Sequence, residues 1–179
     1  MTVRDFAERV LFGTSLEDKL GPPPAGITDQ NRGNALIAPE VPSRPGGLEL
    51  RQDGTRADFP GMSGIEDDHQ RGRLLHFFAN HELLATELMA LMLLKFPDAP
   101  TEFRDGILST LKEEQIHTKM YLGRMAQCGV EFGELPVNGF FWKMVSSVKT
   151  PLDYVTRLSL TLSLIHISEP TRRRGISYA

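Results

Sequence analysis

The sequence predicts an all-α protein, an antiparallel helical bundle that is incomplete, with about three core helices. One observation is that residues 74–94 are apolar on nearly every side of a helix, which is typical of a helix surrounded by others. Another is an apolar stripe at helical spacing from about Thr101 to Gln127. The short connection between Pro97 and Pro100 makes these two helices antiparallel neighbours.

Composition narrows the class of protein. The chain has 179 residues and a formal net charge of −3, with acidic and basic residues mixed, so we expect one domain and no nucleic-acid partner. The first ten residues carry charges where a signal peptide needs an apolar run, and no stretch of about 18 apolar residues is free of charges. We therefore expect a cytoplasmic protein without a membrane partner. The single cysteine, Cys128, is expected to pack rather than react.

The region before the core helices has two parts. Residues 1–20 predict an N-terminal helical arm, with one helix from about Val3 to Phe12 closed by Gly13 and a second turn capped by Ser15. Residues 21–62 are rich in proline and glycine and have no sustained helical or alternating pattern. This segment is either a wrap over the helical body or a partly disordered linker, and we favour the wrap.

Residues 63–161 are predicted to form the partial bundle, and its first core helix carries two acidic residues. The helix is expected to begin near Ser63, which has capping-box spacing to Glu66, and to end at Phe96. Glu82 and Glu87 lie in its apolar half, so we expect both to be buried. A buried carboxylate must protonate, pair with a cation or bind a metal ion, and two on one helix need an explanation.

The second core helix carries a Glu-x-x-His pair, Glu114 and His117, on the stripe that is expected to face inward. Glu113 lies off that stripe and is expected to be solvated. Glu82 lies roughly 14 residues before the bend and Glu114 roughly 14 after it, so the two carboxylates should meet at equal depth. One glutamate facing one Glu-x-x-His is the first half of the ferritin-like dimetal arrangement. Oxygen and imidazole ligands favour iron or manganese, although the pair alone also arises by chance on solvated helices.

The other histidines and the region after the second helix have simpler interpretations. His69 is expected to be solvated, and His76 to be a hydrogen-bonded core residue. His81 is a candidate for supporting the metal ligands without touching the metal. An aromatic cluster, residues 140–142, is expected to cap the bundle. A third core helix should begin at Thr150, followed by a proline and an acid in the first turn.

The chain also resembles a known family over about residues 1–161. The resemblance is carried by His76-Phe-Phe-Ala-Asn-His-Glu-Leu-Leu-Ala-Thr-Glu-Leu-Met-Ala, Phe96-Pro-Asp-Ala-Pro, Glu113-Glu-Gln-Ile-His-Thr and Gly133-Glu-Leu-Pro-Val-Asn-Gly-Phe-Phe-Trp. It is to an uncharacterised bacterial ferritin-like domain family (domain-of-unknown-function family 455), distantly akin to rubrerythrins and diiron tRNA hydroxylases. The resemblance implies that Glu82, Glu114 and His117 are metal ligands, with Glu87 as the alternative to Glu82.

The C-terminal residues 162–179 depart from that family. From Leu162 the chain reads Leu-Ser-Leu-Ile-His-Ile-Ser-Glu-Pro-Thr-Arg, which resembles the in-frame translation of a sequencing-library adapter, a foreign tail. The resemblance implies a third glutamate and a second Glu-x-x-His here, and neither arrives. His166 and Glu169 have the wrong spacing to replace them. We therefore expect a truncated chain that holds at most one metal ion weakly.

Two functional hypotheses follow. The first is a fragment of a dimetal carboxylate protein, whose intact form would be an oxidoreductase or oxygenase acting with oxygen on a small molecule of unknown identity. The second is a non-catalytic helical scaffold, in which the buried acids pair with Lys112, Lys119 or Arg124. Whether the protein is an enzyme stays open. In either case an exposed face of the incomplete bundle should favour self-association.

Overall fold

The structure is a computed structural model, and it describes residues 1–50, 61 and 63–158. The described residues form six helices and no sheet, which confirms the predicted all-α class. In chain order these are α1 (Val3–Phe12), α2 (Leu16–Leu20), α3 (Asp68–Lys95), α4 (Thr101–Gln127), α5 (Phe140–Val145) and α6 (residues 151–158). Residues Met1–Ser147 form one compact unit, and α6 belongs to a second unit that begins at Val148.

The packed antiparallel pair α3–α4 is the centre of the first unit, as the short connection predicted. The bounds of α4 are those expected, but the predicted start of α3 at Ser63 was wrong. Gly64 has a φ of +80°, which a right-handed helix cannot contain, and residues 63–66 form turns. The helix begins instead after Asp67, whose side chain accepts a hydrogen bond from the Gln70 amide at 2.9 Å.

The apolar half of α3 is enclosed on all sides. Every residue from Leu83 to Leu94 except Ala85 is buried, in agreement with its lack of a polar face. Within the described part of the chain, α3 is the one helix long and apolar enough to cross a membrane, with a mean hydropathy of 1.3. In the most apolar 18-residue window of this helix, 72% is buried inside the protein. The core helix of a folded domain has the same apolar composition, so the composition is weak evidence for a membrane span.

The two N-terminal helices pack on this pair and begin at side-chain caps, of which the sequence predicted the one at Ser15. Thr2 and Asp5 form a reciprocal capping box at the start of α1, and Ser15 caps α2 by accepting from the Asp18 amide at 3.0 Å. The buried face of α1 consists of Val3, Phe6, Ala7, Val10 and Leu11. Both helices therefore form where the sequence predicted them.

Residues 21–50 lie over α3 and α4 rather than extending away from them. The Leu36 amide donates to the Leu94 carbonyl at 3.0 Å, near the end of α3. Asp29 binds the Arg104 guanidinium through two hydrogen bonds of 2.6 Å, which fastens the segment to the start of α4. The remainder of the proline- and glycine-rich stretch, residues 51–60 and 62, lies outside the described residues.

After α4, the start of α6 agrees with its prediction, whereas residues 140–145 form the helix α5, where the sequence predicted a loop. Trp142 of α5 is buried and its indole N–H donates to the Glu40 carbonyl at 2.8 Å, whereas Phe140 is exposed. Thr150 accepts from the Asp153 amide at 3.0 Å and Asp153 accepts from the Thr150 amide, so α6 begins where predicted. Residues 162–179, for which the sequence analysis expected a foreign tail, lie outside the described residues.

Candidate metal centre

Three donor side chains from two helices come together on one side of the α3–α4 pair. Glu82 comes from α3, and Glu114 and His117 come from α4. Each offers one ligand atom, and these atoms lie within 4.8 Å of one another. Three residues on a helix make slightly less than one turn, so Glu114 and His117 point to the same place. The antiparallel connection then brings Glu82 to the same depth.

Glu82 is the member of this cluster whose pKa is raised. Burial, followed by the hydrogen bond to Glu114 and the charge of Glu114, raises the pKa of Glu82 to about 8. Within the described residues, no lysine or arginine forms an ion pair with either carboxylate. No lysine or arginine therefore neutralises the cluster, and burial favours the protonated form of Glu82.

His117 lies at the exposed edge of the cluster. Its Nδ1 is 3.0 Å from Glu114 Oε2, and its side chain is 51% exposed against 18% for Glu114. Thr118, the next residue of α4, is fully buried. The expectation that His117 faces inward was therefore wrong, because the helical turn directs its neighbour Thr118 into the core.

His81 lies beside the cluster in an apolar setting. Burial lowers its pKa to about 4, opposed by the charge of Glu114, so the imidazole is neutral at physiological pH. Its ring packs edge-on against Phe141 with centroids 4.0 Å apart. A neutral ring nitrogen near Glu114 could hydrogen-bond to a ligand carboxylate, and this role for His81 stays a prediction. His76 is buried and accepts from the Gly133 amide at 3.1 Å, as expected of a core histidine.

Glu87, the alternative ligand, lies elsewhere in a buried ion-pair network. Its carboxylate accepts from Arg44 Nη2 at 2.6 Å and from Arg44 Nε at 3.0 Å. Lys19 Nζ lies 3.0 Å from Oε1, and all three side chains are fully buried. Burial lowers the pKa of Lys19 while the charge of Glu87 opposes this shift. Both oxygens of Glu87 are thus already occupied by cations.

These partners of Glu87 were missed by the sequence reasoning. The scaffold hypothesis expected pairing with Lys112, Lys119 or Arg124 of the neighbouring helix, and all three are exposed. The actual cations come from α2 and from the proline- and glycine-rich segment. A basic residue in a segment without periodicity gives no sequence signal for burial, so only the fold could reveal these pairs.

The cluster opens into a groove whose other residues the sequence reasoning also missed. The groove is lined by Leu75, Glu82, His117, Met120, Tyr121 and Arg124. Tyr121 stacks on Phe78 with ring centroids 5.9 Å apart. Burial, and then the charges of Glu82 and Glu114, raise the pKa of the Tyr121 phenol. The spacing of positions 117, 121 and 124 could have indicated these groove residues, because residues at this spacing lie on one face of a helix.

The donor set fits a hard or borderline divalent cation. Two carboxylates and one imidazole are ligands that iron, manganese and zinc accept, and three protein ligands leave coordination positions open. Among the residues that the structure describes, one such cluster of three or more acidic or histidine donors is present. It suffices for one ion, whereas the ferritin-like dimetal arrangement uses four carboxylates and two histidines.

The fold and cluster define an all-α protein with a carboxylate–histidine group on an antiparallel helix pair. Over residues 8–165 the chain matches the family model described as "Protein of unknown function (DUF455)". The chain therefore belongs to that family, which confirms the resemblance seen in the sequence. No curated protein and no solved structure matches the chain.

Proposed function

We propose that this chain carries half of the metal site of a ferritin-like dimetal carboxylate protein, with Glu82, Glu114 and His117 as ligands. The intact protein would be an oxidoreductase or oxygenase that uses iron or manganese. The observation that supports this most directly is the approach of the three ligand atoms to within 4.8 Å. Such a set, one Glu on one helix facing Glu-x-x-His on the next, is half of the ferritin-like ligand arrangement.

The contrast with Glu87 supports metal binding over a purely structural role. Glu87 lies on the same helix and is neutralised by Lys19 and Arg44. Neither Glu82 nor Glu114 pairs with a lysine or arginine in the described part of the chain, and Glu82 lines a groove. Two close carboxylates without a counter-ion are costly, so a divalent cation would relieve a repulsion that the protein otherwise relieves by protonation.

The ligands would have separate tasks when an ion is bound. An iron ion would supply redox chemistry with oxygen. Glu82 would lose its proton to the solvent on binding, so metal affinity should rise with pH towards about 8. Glu114 would be oriented by its contact with His117, and His117, at the exposed edge, would border the open coordination positions. This chain, with three ligands, would hold one ion weakly and lack activity.

A titration of the full chain with Mn²⁺ tests the proposal. Binding is measured by calorimetry and by manganese electron paramagnetic resonance. One ion per chain is expected, and Glu82→Gln or Glu114→Gln should weaken binding by at least about tenfold. Glu113→Gln is the matched control, since Glu113 is exposed on the same helix next to Glu114. Absence of stoichiometric binding, or an equal loss in the control, would contradict the proposal.

The second candidate is a non-catalytic scaffold that recognises a protein partner. It is favoured by the exposed apolar side chains of Ile116 and Met120 on α4, which are 55% and 67% exposed. If the titration shows no metal binding while the chain associates through this face, the scaffold is the better account.

A further inference from the structure

The groove next to the metal cluster has apolar walls and charged groups, and this combination indicates a class of ligand. Its apolar walls are Leu75 of α3 and Met120 of α4, and Tyr121 adds an aromatic ring with a hydroxyl group. Glu82 and His117 stand on the cluster side, and Arg124 brings a cation into the lining. A groove with apolar walls and a few polar groups is the usual form of a small-molecule site.

Arg124 is available to bind an anion. Its Nη1 donates to Gln127 Oε1 at 2.6 Å, and no carboxylate within the described ranges forms an ion pair with it. A guanidinium group has five N–H donors, so most of them remain for a ligand. Arginine binds carboxylate and phosphate groups with two parallel hydrogen bonds, which gives both strength and orientation.

The charge of the groove favours an anion once a metal ion is bound. One divalent ion neutralises the carboxylates of Glu82 and Glu114, while His117 is neutral as a ligand. The positive charge of Arg124 is then uncompensated within the groove. Without the metal ion, the charge of Glu114 opposes that of Arg124 and disfavours an anionic ligand.

The spacing along α4 sets the size of the ligand. His117 and Arg124 are seven residues apart, which corresponds to roughly 10 Å along the helix axis. Met120 and Tyr121 lie between them on the groove side. A ligand with its charged group at Arg124 and its other end at the cluster therefore needs an apolar body of medium length.

We propose that this groove binds a small anionic molecule with an apolar chain, whose charged head is held by Arg124 and whose far end reaches the Glu82–His117 side. This inference rests on the proposed function, and it names the substrate class for that site. The head could be a carboxylate or a phosphate, since the guanidinium group recognises both. The atoms presented to the metal side are those at the apolar end.

Octanoate, octyl phosphate and octanol are the probes that test this proposal. Each is titrated into the full chain with and without Mn²⁺ and followed by calorimetry. We expect one or both anions to bind more tightly than octanol, and more tightly with Mn²⁺ than without it. The comparison of octanoate with octyl phosphate identifies the preferred head group. Equal binding of octanol and the two anions would overturn the proposal, because the charge of Arg124 would then have no role.

Two variants and one spectroscopic measurement locate the ligand. Measured at saturating Mn²⁺, Arg124→Gln should weaken binding of the anion by about tenfold. Lys112→Gln, an exposed basic residue of α4 outside the groove, is the control. Relaxation of the octanoate protons by bound Mn²⁺ should be strongest at the terminal methyl group. Strongest relaxation beside the carboxylate would overturn the proposal, because the head would then coordinate the metal.

The outcomes separate this inference from the proposed function. If Mn²⁺ binds but neither anion does, the groove proposal fails and the metal site stands. If Mn²⁺ does not bind, the metal proposal fails. The anion affinities of Arg124→Gln and Lys112→Gln can still be compared, and a loss in Arg124→Gln alone would show that Arg124 holds the anion.

Discussion

Substitution of Glu87 by Gln tests whether the buried network around this residue is structural. Glutamine keeps the shape of the side chain and one acceptor oxygen but removes its negative charge. Lys19 would keep its bond to the Leu11 carbonyl at 3.0 Å, and Arg44 would keep Asn80 Oδ1 at 2.8 Å. Two fully buried cations would therefore remain without a counter-charge.

The expected loss of stability is large. Removing one partner of a buried ion pair costs about 3–5 kcal/mol, and we expect the lower end because glutamine still accepts a hydrogen bond. For a chain of this size, a loss of about 3 kcal/mol lowers the unfolding midpoint by roughly 6–12 °C. Replacing Glu87, Lys19 and Arg44 together by apolar residues of similar volume should cost much less, because no buried charge remains.

Circular dichroism during thermal and urea unfolding measures both changes. Glu113→Gln serves as the control, since an exposed glutamate should alter the free energy of unfolding by no more than about 0.5 kcal/mol. A loss below about 1 kcal/mol for Glu87→Gln would refute the reasoning. So would a loss of metal affinity in the folded variant, because Glu87 would then act as a ligand.

Two further predictions concern the cluster and the exposed face of α4. In the metal-free chain, Glu82 keeps its proton in the folded state up to about pH 8, whereas its unfolded carboxyl loses it near pH 4.5. The folded state binds the additional proton across this window, so stability should fall as pH rises through it. Glu82→Gln should remove that slope in thermal unfolding; an unchanged slope would assign it to other groups. Ile116→Asp should reduce self-association in sedimentation velocity, and a wild-type chain that stays monomeric at all concentrations would contradict this prediction.

Local signals in the sequence were sufficient for most of the helices. The cap at Ser15 gave the start of α2, and the apolar stripe closed by Gly13 gave the extent of α1. The start of α3 was misplaced because the spacing of Ser63 and Glu66 suggested a cap, whereas Gly64 adopts a left-handed conformation there. A capping pattern indicates where a helix can begin. The helix begins there only if the next residues adopt right-handed helical backbone angles.

The approach of Glu82 to Glu114 was predictable because it depends on helix geometry. Equal rise along two antiparallel helices was enough to place Glu82 opposite Glu114. The fate of Glu87 was not predictable in this way, because Lys19 and Arg44 come from distant segments. Neither residue lies in a pattern that predicts burial, so the distinction between two similar glutamates on one helix required the tertiary structure.

The contacts between the N-terminal residues and the α3–α4 pair join residues that are far apart in the sequence, and this separation affects the folding rate. Arg44 and Glu87 are 43 residues apart, Asp29 and Arg104 are 75 apart, and Gln115 bonds to the Lys19 carbonyl across 96. Such contacts require large loops to close, which slows folding relative to helical bundles with local contacts. The α3–α4 hairpin formed alone would lack the cations of Glu87 and the apolar face of α1 that packs on α3. We therefore expect the smallest unit that folds to include the first fifty residues, even though the candidate ligands all lie beyond them.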